Sequence, residues 1–320
     1  MKKVAVMTSG GDCPGMNAAI RSIVRSGLAN GIEVYGIEQG YKGLMEGKIN
    51  LLTSREVSNT IQRGGTFLRS ARSLEFKTEQ GQSKAVDILE KNGIEGLIVI
   101  GGDGSLTGAK ILHENYGINV IGLPGSIDND IYGTNISIGV DTALNTIAHA
   151  IDMINETASS HDRTFIIEVM GRNCGYLALM SAIATGAEAV IIPEIKYNLE
   201  KIIDKIKIRY EEGKSRSIVV VAEGAGSATD IGKAFQLIGG FETRITVLGH
   251  LQRGGGPTVF DRILATRMGS AAIDGLIAGH SGVMTALAGR EISYVDLDVV
   301  LSNTRQLDPK LMEIAEDLSL

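Results

Sequence analysis

The amino-acid sequence predicts an α/β fold of the doubly wound kind, in which strands of a parallel sheet alternate with helices. Three observations predict it. Short runs rich in Val, Ile and Leu recur along the chain, and they are continuous rather than alternating, as strands buried on both faces are. Longer helical stretches lie between them. Several runs end in glycine clusters, where a strand turns into a helix.

In chain order, VAVMTS (4–9) passes through GGDCPG into a helix at 15–29. A helix at 81–92 precedes the runs GLIVIGG (96–102) and NVIGLPG (119–125), and a long helix follows at 139–158. TFIIEVMG (164–171), AVIIPE (189–194), SIVVVAEG (217–224) and ITVLGH (245–250) continue the strands, with helices at 198–212 and 257–278. VMTSGGDCPGMNAA (6–19) and VIGGDGSLTGAK (99–110) are two short matches to one strand–GGD–helix unit. No Pro/Ser linker or low-complexity tract marks a domain boundary.

Composition narrows the function classes. The 320 residues suffice for one large or two medium domains, and 43% hydrophobic content supplies a core. The 41 glycines are nearly twice the usual share of about 7% and punctuate apolar segments. A net charge of −6 gives no attraction to nucleic acid, and 4% aromatics with no Trp provides no base-stacking platform. Cys13, Cys174 and the five histidines have no metal-ligand spacing, and a reduced cytoplasm is the simplest setting. The apolar run after Lys2 and Lys3 is too short for a signal peptide, and no stretch is long enough to span a membrane.

The glycine clusters carry the chemistry. At Gly101, Gly102 and Gly104 backbone N–H groups are free to approach a phosphate, and a helix beginning near Ser105 adds its positive dipole end. Asp103 within this cradle makes sense if a cation stands between carboxylate and phosphate, and Mg²⁺ is held by one or two carboxylates plus phosphates and water. The spacing matches neither G-x-G-x-x-G nor a P-loop. Gly11, in the GGD at 10–12, would cover the phosphates, although a simple tight turn reads equally well. In PGSIDND (124–130), Asp128 and Asp130 are two apart and would face one side of an extended segment, one accepting a proton and the other supporting a metal. An Asx-rich turn is the alternative. Arg72, Arg163, Arg172, Arg244, His250 and Arg253 are candidate phosphate groups, each a solvated surface charge if taken alone. Glu223 ends a buried run and suits either a sugar hydroxyl or a structural ion pair.

Together these residues resemble the bacterial ATP-dependent 6-phosphofructokinases over essentially the whole chain. TSGGDCPGMNAAIR, GGDGS, PGSIDND, MGRNCG, VAEG, FETR and LGHLQRGG occur in that family's order and spacing. The resemblance implies two doubly wound, Rossmann-like parallel-sheet domains interleaved in sequence, the phosphofructokinase fold. The larger, ATP-binding domain would take 1–139 plus 252–302, and the smaller, fructose-6-phosphate-binding domain 140–251 plus 303–320. It further implies a cytoplasmic homotetramer that transfers the γ-phosphoryl of ATP to the 1-hydroxyl of fructose 6-phosphate, the committed step of glycolysis. Asp128 would be the proton acceptor, with Arg172 and Ser126 beside it, and Asp103 the Mg²⁺ carboxylate assisted by Asp130. Gly11, Arg72, Ser73, Gly102, Asp103, Gly104 and Ser105 would contact ATP. Ser126, Asp128, Met170, Gly171, Arg172 and Glu223 would contact the sugar; Arg163 and Arg244 would reach the 6-phosphate across a subunit interface, and His250 and Arg253 from within the subunit.

Gly104 and Gly125 stand where pyrophosphate-using relatives carry Asp and Lys, so ATP is the expected donor. A pyrophosphate-dependent enzyme and a non-catalytic nucleotide-binding regulator are the alternatives; another GGDG kinase would lack PGSIDND. Ser126 replaces the usual Thr, and Leu74 stands where Pro is frequent. For a second, effector site binding ADP or phosphoenolpyruvate, Arg21, Arg25, Gly186, Glu188, Lys214 and Arg216 match. Arg21 and Arg25, at i and i+4, share a helix face. Asn155 and Glu212 stand where arginine is common and Asn59 where Asp is common, so two cations are lost and regulation by either effector is expected to be muted.

Overall fold

The computed structural model describes residues 1–158, 163–213 and 216–318. Its elements in chain order begin with β1 (Lys3–Thr8), α1 (Met16–Ala29), β2 (Glu33–Ile37), α2 (Gly40–Met45), β3 (Ile49–Leu52), α3 (Glu79–Lys91), β4 (Gly96–Gly101), α4 (Asp103–Tyr116), β5 (Val120–Pro124) and α5 (Val140–Ala158). They continue with β6 (Thr164–Val169), α6 (Tyr176–Thr185), β7 (Ala189–Ile191), α7 (Leu199–Glu211), β8 (Ser217–Ala222), α8 (Ala228–Ala234), β9 (Thr243–Val247), α9 (Val259–Ile277), β10 (Val283–Ala288), β11 (Glu291–Asp296), α10 (Leu297–Ser302) and α11 (Pro309–Leu318). The fold is α/β with parallel-sheet units, as the sequence predicts. Among the described residues no helix is long and apolar enough to cross a membrane.

The chain divides into two compact units. The first comprises Met1–Ile127, Ile131–Thr142 and Arg253–Arg305. Its seven-stranded sheet runs β11-β10-β5-β4-β1-β2-β3. The inner strands are parallel, and only the edge strands β3 and β11 pair antiparallel. Strand order reverses between β1 and β4, whose ends lie in register as Met7↔Val99 and Thr8↔Ile100. Loops leaving such a switch point form a crevice at the carboxyl edge of the sheet. Met7, Ile37, Leu44, Leu97, Val99 and Leu106 fill the core on one face of this sheet.

The second unit comprises Asp128–Asp130, Ala143–Gln252 and Gln306–Leu320. Its sheet, β7-β8-β6-β9, is wholly parallel. The continuous run of β8, SIVVVA, is buried at every position, as a central parallel strand requires. Its reversal lies between β6 and β9, so the loops after these strands emerge together.

All seven sequence runs are strands. The runs that went unread are β2, β10 and the antiparallel edge strands; β11 (EISYVD) is exposed or half-buried throughout and lacks the continuous apolar signal. One boundary moves with consequence. Helix α4 starts at Asp103, with Gly102 as its N-cap, so Ser105 lies inside the first turn.

The start of α5 is held by a buried carboxylate. Asp261, on α9 and fully buried, accepts the Gly139 N–H at 2.9 Å, the Thr142 N–H at 2.8 Å and the Thr142 hydroxyl at 2.5 Å. Burial first, then nearby Asp141, pushes its carboxyl above the usual range, while the three donors pull it back. Asp261→Ala leaves these donors unpaired in the interior, each worth about 1–3 kcal/mol. Denaturant unfolding of this variant should show stability lower by about 3 kcal/mol; an unchanged midpoint would refute the cap.

Candidate active site

In the first unit the crevice at the switch point is built by close backbone approach. A side chain at Gly101 would collide with the Ser9 carbonyl, and its Cβ would sit 2.6 Å from the Ser105 hydroxyl oxygen. The loop after β1 is tied down by Ser70, whose hydroxyl donates to the Gly10 carbonyl at 2.6 Å. Thr8 donates to the Arg69 carbonyl at 2.9 Å. The N-terminus of α4 carries no side-chain cap hydrogen bond, so its first turn is presented to the crevice with Asp103 exposed on it. Arg253 donates to the Asp12 carbonyl at 3.1 Å and presses against Gly11, where a side chain would collide with the guanidinium.

The result is an open cleft of about 410 Å³. Every residue assigned to ATP from the sequence lines it: Gly11, Arg72, Ser73, Gly102, Asp103, Gly104 and Ser105. Gly125, Ser126 and Arg253 line it too, so Arg253 stands with the glycine loops. Tyr41, Phe76 and Lys77 also line the cleft and were not singled out from the sequence. Tyr41 and Phe76 stack with ring centroids 3.9 Å apart, and Tyr41 donates to the Ser105 carbonyl at 2.6 Å. No local pattern announces this pair, because it forms between an early helix and a later loop.

The two glycines expected to select the donor differ. A Cβ at Gly104 meets nothing within 4 Å, so nothing in the fold demands glycine there and a side chain would project into open space. A Cβ at Gly125 would meet Met16 at 3.3 Å, Ile100 at 3.4 Å and Cys13 at 3.5 Å. A lysine at 125 would therefore start against buried apolar groups, and packing alone favours glycine there.

In the second unit Asp128 and Asp130 lie in a turn, not the extended segment expected from their spacing. Asn129 between them is left-handed, with φ 52°, a conformation Asn tolerates through local hydrogen bonding. The expected sidedness survives for another reason: Ile127 and Asn129 are buried, while Ser126, Asp128 and Asp130 are half-buried. The loop after β6 carries Met170, Gly171 and Arg172, with Arg172 exposed and Gly171 at φ 133°, where a side chain would strike the Cys174 carbonyl. Glu223 follows β8, with its backbone N–H donating to the Val169 carbonyl at 2.9 Å and its side chain exposed. His250 is exposed in the turn after β9.

Arg163 and Arg244 lie on neighbouring strand edges and share one carboxylate. Glu242 Oε1 is 2.9 Å from Arg163 Nε and 2.6 Å from Arg244 Nη2. Glu242 stands inside the motif FETR, of which only Arg244 was singled out from the sequence; its pairing with Arg163, 79 positions earlier, has no local signal.

The effector candidates fall in both units. Arg21 and Arg25 share a face of α1, and burial, then the neighbouring Arg25 charge, lowers the Arg21 pKa. Gly186 ends α6 in the left-handed conformation with φ 65°. Glu188 accepts the Ile218 N–H at 2.7 Å, and Arg216 donates to the Asn155 carbonyl at 3.3 Å. Lys214 lies outside the described residues. A cavity of about 330 Å³ in the second unit touches Glu188 and otherwise none of the predicted site residues.

Residues 3–276 match the phosphofructokinase family. The chain belongs to the phosphofructokinase family. Relatives named ATP-dependent 6-phosphofructokinase include that of Thermotoga neapolitana, 53% identical over 319 residues, and that of Halalkalibacterium halodurans, 51% identical over 320 residues; each alignment covers 100% of both chains. Phosphofructokinase from Saccharomyces cerevisiae superposes with a TM-score of 0.90 at 35% identity, covering 100% of this chain and 48% of that one, so this chain spans about half its length. A pyrophosphate-dependent phosphofructokinase from Marinobacter aquaeolei superposes with a TM-score of 0.84 at 22% identity, over 97% of this chain and 86% of that one, a likeness of fold alone. A pyrophosphate-dependent phosphofructokinase thus shares this fold, so the fold alone does not assign the donor.

Both cysteines are buried. Burial, then Asp261 and Asp12, drives the Cys13 pKa far up. Cys174 is pushed up to about 11 by burial and then by Glu194, Asp130 and Asp128. A raised pKa keeps both thiols protonated and unreactive at pH 8. An aromatic disulfide reagent should therefore detect no fast thiol in native protein and both after denaturation; a rapid native reaction would contradict this.

Proposed function

We propose that this chain transfers the γ-phosphoryl of ATP to the 1-hydroxyl of fructose 6-phosphate, giving fructose 1,6-bisphosphate and ADP. The observation that carries this reading is the cleft at the β1/β4 switch point, where two glycine loops, an uncapped helix N-terminus and Asp103 converge. Full-length relatives at 51% and 53% identity, named as ATP-dependent enzymes, support the same donor.

In this reading the α4 N-terminus and the amides of Gly11 and Gly102–Ser105 hold the nucleotide phosphates, with Arg72 adding charge. Asp103 is the carboxylate for Mg²⁺, with Asp130 assisting. The donor set fits that ion: among the described residues no group of three or more His, Cys, Asp or Glu forms a protein cage, and Mg²⁺ characteristically shares its shell with phosphates and water. When bound, the ion neutralises charge on the phosphate oxygens. Asp128 accepts the proton of the 1-hydroxyl as its oxygen attacks the γ-phosphorus and ADP departs. Ser126, Met170, Gly171, Arg172 and Glu223 hold the sugar. Arg163, Arg244 and His250 serve its 6-phosphate, the first two in a neighbouring subunit of a homotetramer; Arg253, expected beside them, lines the glycine-loop cleft. On this view Glu242 keeps Arg163 and Arg244 close together until phosphate competes for them.

Gly104 decides between donors. An open Cβ direction there means a side chain would take space from an inner phosphate while disturbing nothing in the fold. Wild-type protein should turn over fructose 6-phosphate with ATP and far more slowly with pyrophosphate. Asp128→Asn should lower kcat by about 10²–10⁴. Gly104→Asp should raise the KM for ATP by about tenfold with melting temperature unchanged. Equal wild-type rates with the two donors would reverse the donor assignment, and unchanged kcat in Asp128→Asn would remove Asp128 from the reaction.

The effector site should respond weakly, because Asn155 and Glu212 stand where cations would hold a polyanion. Titration of fructose 6-phosphate with and without phosphoenolpyruvate or ADP should move the half-saturation point by less than about threefold; a large shift would overturn this expectation.

A further inference from the structure

Gln252 is fully buried, yet it is polar and no part of the roles assigned above. It lies in the short turn Gly249–Arg253 that follows β9. Its Oε1 accepts the Met170 N–H at 3.1 Å, and its Nε2 donates to the Gly249 carbonyl at 3.0 Å. One amide therefore closes both ends: a donor from the loop after β6 and an acceptor at the start of the turn bearing His250.

These two loops leave adjacent parallel strands. The ladder between β6 and β9 reaches Glu168↔Val247, and the Leu248 N–H donates to the Glu168 carbonyl at 3.0 Å. Past that point the strands have ended, and the Gln252 side chain continues the connection between them. An apolar side chain of the same size would fill the space but would leave the Met170 N–H and the Gly249 carbonyl without this partner. A carboxylate would keep the acceptor and set a negative charge against the Gly249 carbonyl. Only a side chain with an acceptor and a donor at its tip satisfies both.

We propose that Gln252 is a positioning residue for the sugar-phosphate substrate: its amide sets the spacing between the Met170–Arg172 loop and the His250 turn. It touches no substrate itself, so its effect passes through the groups on either side. The inference rests on the reading of these loops as the fructose 6-phosphate site.

Steady-state kinetics and calorimetric binding of fructose 6-phosphate test it, on wild type, Gln252→Met and Gln252→Glu, with thermal melting alongside. The KM and Kd for fructose 6-phosphate should rise by about tenfold or more in Gln252→Met, with the KM for ATP within about twofold of wild type. Gln252→Glu, which keeps the acceptor for Met170, should fall between the two. Folded variants with fructose 6-phosphate affinity within about twofold of wild type, even at a lowered melting temperature, would make Gln252 merely structural. Equal rises in KM for both substrates would do the same. Should Gln252→Met not fold, the affinity of Gln252→Glu decides alone by the same criterion. Wild-type protein without affinity for fructose 6-phosphate would sink the site reading; wild-type affinity with unshifted variants sinks this inference only.

Discussion

At the boundary between β1 and β4 the backbone comes closer to itself than side chains allow, and the candidate nucleotide cleft depends on that approach. The two strands end in register, so their loops leave side by side. The Ser9 N–H donates to the Ile100 carbonyl at 3.0 Å and the Gly125 N–H to the Gly101 carbonyl at 3.0 Å, which draws three loops to one edge. Gly101 sits at the middle of this junction, and any side chain there would meet the Ser9 carbonyl and the Ser105 hydroxyl. Moving α4 away to make room would withdraw its N-terminal amides from the cleft.

The two units present charge at their candidate sites by different means. In the first, backbone amides and one helix end provide diffuse positive potential, and a single exposed carboxylate stands among them. Such a carboxylate would repel a bare phosphate; it becomes favourable when a divalent ion is shared with the phosphates. In the second, the candidate groups are full charges, two of them held by one carboxylate. Arg163, just before β6, and Arg244, on β9, would repel each other, and Glu242 offsets that repulsion by pairing with both. These ion pairs are partly exposed, so their worth lies in holding geometry more than in stability.

Much of the fold was legible because parallel strands write a local signal. Runs such as GLIVIG and SIVVVA are buried at every position and therefore apolar almost throughout, Ser217 being the one polar exception. Edge strands have no such obligation, and β11 escaped notice for that reason. Asp128 and Asp130 show the limit of spacing arguments. The sidedness inferred from an extended chain is present, yet it arises in a turn, with Asn129 left-handed and buried. Gly125 shows another limit: its position in the motif spoke of donor choice, while its surroundings speak also of packing against Met16, Ile100 and Cys13.

The sequence by itself determined the strand–helix alternation, the glycine loops at strand ends and membership of the phosphofructokinase family, because each is encoded in contiguous residues. Tertiary structure alone decided which distant residues meet around the candidate sites. Tyr41 reaches Ser105 across 64 positions, Gln252 reaches Met170 across 82, and Asp261 reaches Gly139 across 122. Tyr41 and Asp261 lie in no quoted motif, and Gln252, inside LGHLQRGG, gives no local sign of its partner. Each pairing forms only where the fold brings distant elements together and leaves a buried donor or acceptor that must be satisfied.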